Sequence, residues 1–192
     1  MEQKAKASDQ VQSGLAAKTA SGESARAFGK YIAECHDKDG NLKWSTEAPN
    51  LVVNAGLQYM AGTALSNSAA QITTWYIGLY GAAASNTPDP ADTMASHAGW
   101  TEITPYSDST RPTATFAPST NADPSVVTNT SNKAVFNINA TATVGGAFLT
   151  SNSTKGGSSG TLFSAADFQS PGDRSVVSGD VLSVTYQFNL SA

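Results

Sequence analysis

Cysteine is nearly missing from this chain: Cys35 is the only one in 192 residues. No intramolecular disulfide can form, and no cysteine-rich zinc site is available. A single thiol fits a reducing compartment, or an assembly made in one. Charge is scarce too, with Asp, Glu, Lys and Arg at 14% and a balance of −4. That balance argues against an electrostatic grip on nucleic acid or anionic lipid. No run approaches the ~18 apolar residues of a membrane span. The first 14 residues hold no apolar stretch, so no signal peptide is expected. The N-x-Ser/Thr triplets at Asn129, Asn139, Asn152 and Asn189 then read as products of a composition rich in Ser, Thr and Asn.

What is present is unevenly placed. Residues 1–47 carry 7 Lys or Arg and 7 Asp or Glu, whereas residues 48–192 carry 4 and 8. The second part is Ala, Ser, Thr, Asn and Gly between short apolar runs. We place one boundary near residue 28 and a softer one near residue 48. Residues 1–27 are then an N-terminal arm, and residues 28–192 a single domain, with residues 28–47 as a hairpin at its edge. The arm has Val11 and Leu15 as its main large apolar residues. Ala16, Ala17 and Ala20 favour helix, while Gly14 and Gly22 interrupt it. Such a segment cannot bury enough surface to fold alone. It is either a solvated tail or an arm that orders on a partner, with Val11, Leu15, Arg26 and Phe28 as candidate contact residues. Extended, 27 residues reach about 90 Å, enough to cross onto a neighbouring subunit.

The rest reads mostly as strands. Tyr31, Ala33 and Cys35 alternate with Ile32, Glu34 and His36, and Asp39-Gly40 signals a hairpin turn. Asn50 is placed to cap a short helix with a stripe of Val53, Leu57, Met60 and Ala61. Alternation returns at residues 74–80, and residues 99–103, 111–116, 134–144, 147–150 and 160–168 are further candidate strands. The last strand is the clearest: Leu182, Val184, Tyr186, Phe188 and Leu190 alternate with polar residues over nine positions. Burying those five is worth on the order of 8–15 kcal/mol before chain entropy, which predicts a central strand. The expected fold is mainly β: an antiparallel β-sandwich with one short helix and an extended N-terminal arm.

Three patterns invite a chemical reading. Gly156, Ser158 and Gly160 match a hydrolase nucleophile elbow, which needs a strand before it, a helix after it and a later His. Here a polar run leads into a strand, and both histidines, His36 and His97, lie upstream. Residues 37–41 (DKDGN) resemble the start of a calcium loop, but Leu42 and Ala48 occupy the positions that need Gly and Glu. Cys35 and His36 are neighbours on a strand and point to opposite faces. Asp89, Asp92, Glu102, Asp108 and Asp123 read as single carboxylates in loops or near strand ends, with no sign of a glycosidase pair. The expectation is a protein without catalytic residues, metal or cofactor.

Three stretches carry a family resemblance: NLVVNAGL at residues 50–57, DTMASHAGWTE at residues 92–102 and NSTKGGSSGTLF at residues 152–163. With the alternating C-terminal strand, they resemble parts of small tailed-bacteriophage virion proteins, over roughly residues 45–192. The resemblance implies a virion component of the capsid decoration (cement) type, made in the host cytoplasm. Such a protein binds the major capsid protein at subunit junctions on the outer shell and stabilises the head. It is commonly a homo-oligomer, with a trimer favoured, and engages neither nucleic acid nor membrane. The alternative is a tail-fibre or receptor-binding module for host glycans, motivated by exposed-looking Tyr76, Tyr80, Trp100 and Tyr106. A third reading, a glycan-cleaving enzyme, would depend on Asp92 or Glu102, and a connector or stopper is a further virion role.

Overall fold

The computed structural model describes residues 25–81, 87–168 and 172–192. The chain opens with a hairpin of β1 (Arg26–His36) and β2 (Leu42–Pro49). A two-residue β3 (Leu51–Val52) leads into α1 (Asn54–Ala61), which continues as a π-helical turn, Gly62–Ser66. Then come β4 (Trp75–Gly81), β5 (Thr101–Ile103), β6 (Thr113–Ala114), β7 (Ser125–Thr128), β8 (Ala134–Asn137) and β9 (Ala142–Val144). Last are β10 (Gly146–Thr150), β11 (Leu162–Asp167), β12 (Arg174–Val176) and β13 (Val181–Ser191).

These strands form two main antiparallel sheets and a small β12–β9 ribbon. The first sheet has the order β2-β1-β13-β7, with β8 also on β13; the second has β3-β11-β10-β4-β5, with β6 also on β4. As the alternation predicts, β13 is central. It pairs with β1 from Arg26↔Ser191 to His36↔Val181, and with β7 and β8 on its other side. The hairpin turn at Asp39-Gly40 is also present. Its Asp37 carboxylate accepts hydrogen bonds from the Asn41 side chain and backbone and from the Asp39 N–H, which holds its pKa low. Within the hairpin, β2 is the edge strand and β1 is interior.

The main core lies between the sheets. Tyr31, Ala33 and Cys35 of β1, with Leu182, Val184 and Tyr186 of β13, meet Ile77 and Leu79 of β4 and Ala147 and Leu149 of β10. The second sheet is covered on its other face as well. There Tyr80, Phe148, Leu162 and Ala165 pack under Val53, Met94 and Trp100, which come from before α1 and from the loop after β4. With both faces covered, β10 is buried at every position and β11 at all but its last. One glycine makes this packing possible. Gly78 sits opposite Phe148 across β4 and β10, and a Cβ on it would lie 2.1 Å from the Phe148 ring.

Several expectations need correction. Asn50 does not cap α1: Val53 stands at the N-cap without a side-chain hydrogen bond. The chain first pairs Leu51 and Val52 with β11, so the helix starts later, and the Asn50 amide donates to the Tyr186 hydroxyl at 2.9 Å. The helical stripe is split, with Val53 buried and Leu57 44% exposed. Leu190 is exposed although it faces the same side as Tyr186, because the core ends before the last residues of β13.

Candidate binding surface

Of the four candidate contact residues, Val11 and Leu15 lie outside the described residues. Arg26 and Phe28 stand together at the start of β1, with the Arg26 guanidinium 5.6 Å from the Phe28 ring centre. Strand alternation explains the pair. Tyr31, Ala33 and Cys35 face the core, so Phe28, Lys30, Ile32 and Glu34 face outward. Phe28 is exposed and lies opposite Asn189 of β13.

The chain end is in the same place. Arg26 is paired with Ser191 and Ala27 with Leu190, so the start of β1 lies beside the C-terminal residues. Two shallow depressions flank this end. One, of about 380 Å³, is lined by Phe28, Lys30, Glu47, Pro49, Gln187 and Asn189. The other, of about 300 Å³, is lined by Ala25, Ala122, Asp123, Leu190, Ser191 and Ala192. Further along the outer face, Lys30 pairs with Glu47 at 2.9 Å, and Lys133 pairs with Glu34. Exposed apolar groups among short ion pairs suit contact with another protein.

Between the sheets an apolar cleft of about 140 Å³ is lined by Tyr59, Trp75, Phe116, Phe163, Tyr186 and Phe188, among others. Above it runs a chain of buried hydroxyls. Tyr31 and Ser164 are linked at 2.8 Å, Ser164 donates to Tyr186 at 3.2 Å, and Asn50 donates to the same Tyr186 oxygen. Burial pushes both phenols upward, so they stay protonated. Burial likewise pushes Cys35 up to about 11, so this thiol packs as a small apolar side chain.

Of the carboxylates read as single in the sequence, Glu102 and Asp92 are tied into the structure. The Arg111 guanidinium donates to Glu102 through Nε (2.9 Å) and Nη2 (2.6 Å). It also donates to the carbonyls of Asn152 (2.8 Å) and Gly157 (2.7 Å) and lies over the Phe148 ring. The Gly156 N–H donates to Glu102 as well, so this buried pair staples the loop that carries Gly156, Ser158 and Gly160. That loop joins β10 to β11 and has strands on both sides, which is not the setting of a nucleophile elbow. Asp92 accepts from the Trp100 indole and from the Asp89 N–H, both at 2.9 Å. Lys43 reaches Asp180 at 2.5 Å, joining β2 to the turn before β13. Among the described residues, no group of three or more His, Cys, Asp or Glu is arranged to hold a metal.

The aromatics that motivated glycan binding are placed differently from that expectation. Tyr80, Trp100 and Tyr106 are buried and Tyr76 is half-buried. Trp100 packs on Tyr80, Phe148 and His97, and Tyr106 packs on Phe136. Tyr80, Trp100 and Tyr106 are thereby taken up in the core. Among the described residues, no helix is long and apolar enough to cross a membrane. No family model, curated protein or solved structure matches this chain.

Proposed function

We propose that this protein is a capsid decoration protein of a tailed phage. It binds the outer shell at junctions of the major capsid protein through the segment before β1 and the sheet end that carries Arg26 and Phe28. The observation that carries the reading is how that segment is rooted. It is continuous with β1, which is paired along its length to β13 and on its other edge to β2. A pull on the arm therefore loads β1 in shear, where many backbone hydrogen bonds share the force. A cement protein on a pressurised shell needs such an anchor. The resemblance at residues 50–57, 92–102 and 152–163 points the same way. The acids that an enzyme reading would use, Asp92 and Glu102, are engaged by Trp100 and Arg111.

The test is cosedimentation of the purified protein with phage heads that lack it. The full chain is expected to bind. A chain without residues 1–24, which keeps all of β1, is expected to bind at least tenfold more weakly. Equal binding by the two forms would remove the arm mechanism, and no binding by the full chain would remove the decoration reading.

A further inference from the structure

The cleft between the two sheets leaves aromatic surface uncovered. Around its space of about 140 Å³, Tyr59, Trp75, Phe116, Val127 and Phe188 are only half-buried. Among the described residues, no charged one lines it. Its two hydroxyls are engaged within the fold: Tyr59 accepts from the Ile72 N–H at 2.8 Å, and Tyr186 accepts from Asn50 at 2.9 Å. Contact here is therefore apolar, and a charged or strongly hydrated group would lose water without gaining a partner. The size suits a single side chain. An apolar cavity of about 150 Å³ holds one benzene, which is close to a leucine side chain in bulk.

The cleft lies close to where the described chain begins. On β13, Tyr186, Phe188 and Leu190 share one face, as strand alternation requires. Tyr186 and Phe188 line the cleft. Leu190, two residues or about 7 Å further along, is 43% exposed and borders the depression that also holds Ala25. The loop from Phe116 to Val127 links the two places from the other side. Its ends line the cleft, and its Ala122 and Asp123 line the depression. An apolar track thus runs from the cleft to Ala25.

Residues 1–24, which lie outside the described residues, start from the end of this track. Besides Met1, their large apolar side chains are Val11 and Leu15. Leu15 stands ten residues before Ala25. Ten residues span up to about 33 Å, several times the run from Leu190 to Phe188. Gly22, between them, permits the chain to turn back. Tethering selects this occupant over a free apolar solute or a second copy. A side chain on so short a linker is present at an effective concentration of the order of millimolar, however dilute the protein.

We propose that Leu15 folds back onto its own domain and seats its side chain in the cleft, among Trp75, Phe116 and Phe188. The contact covers the half-buried rings and straps the start of the chain against the sandwich. An arm that engages a shell leaves the cleft to do so, but the inference concerns the free protein and does not rest on the capsid reading.

Methyl NMR on the full chain, labelled at leucine and valine, reads the inference directly. Ring currents move a methyl seated among aromatic rings upfield, so the Leu15 methyls are expected well upfield of the ordinary leucine range. They should show Overhauser contacts to the Trp75, Phe116 and Phe188 rings, unchanged on dilution. In the full chain with Leu15→Asp the cleft is emptied, and added benzene is expected to shift those ring signals, as it does not in the natural protein. Leu15 precedes every described strand, so this substitution leaves the sandwich intact. Leu15 methyls at the positions of a solvated leucine would overturn the inference. So would contacts that fade on dilution, which belong to a second copy's arm, Val11 methyls shifted in their place, or equal uptake of benzene by both proteins.

Discussion

At the scale of single residues, the polar groups inside this molecule act as fasteners. Arg111 and Glu102 form the clearest case, with side chains 0% and 8% exposed. Replacing Glu102 by Gln leaves a buried guanidinium without its counter-charge. The expected cost is about 3–5 kcal/mol, readable by urea denaturation. A variant within about 0.5 kcal/mol of the natural protein would show that the pair is not what holds the loop between β10 and β11. This pair was not legible in the sequence. The two residues are nine apart in a region without periodicity, and what joins them is the return of the β10–β11 loop, a contact 41 to 46 residues away. Trp100 reads both as a packing residue of the candidate strand 99–103 and, on the glycan alternative, as exposed; the indole is in fact the lid of a second core and is held there by Asp92.

At the scale of elements, legibility follows the length of the local signal. The nine-residue alternation of β13 and the turn at Asp39-Gly40 could be read because the information lies within a few residues. Strands β7 and β12, of four and three residues, left too short a pattern to find. The sequence places the helix start three residues early, at Asn50 where Val53 is the N-cap, and its apolar stripe divides, with Val53 buried and Leu57 and Ala61 exposed. An i, i+4 apolar stripe reads the same whether or not its own domain covers all of it.

One inter-element tie has a pH signature. Burial alone would raise the Asp180 carboxyl, but the Lys43 ammonium and the Val177 N–H outweigh it and hold the pKa below the usual carboxylate range. A lowered folded pKa stabilises the fold above the unfolded carboxylate value, and that contribution is lost as pH falls through the folded value. Melting temperature should therefore drop between about pH 5 and pH 2, and Asp180→Asn should flatten part of that drop. An unchanged acid profile in Asp180→Asn would remove this role for the tie between β2 and the turn before β13.

At the scale of the whole molecule, the sandwich has two differently built ends and faces. The second sheet is covered on both faces. The first sheet keeps one face open, with Phe28 exposed where the chain enters it. On our proposal, the β1 end faces the capsid. The most direct measurement is a cryo-electron reconstruction of phage heads carrying this protein. We expect the sandwich on the outside of the shell at subunit junctions, with the end holding Ala25, Phe28 and Leu190 turned toward it. Heads without that density, with the protein found on the tail, would contradict the account, as would a sandwich whose Asp37–Asn41 hairpin turn faces the shell.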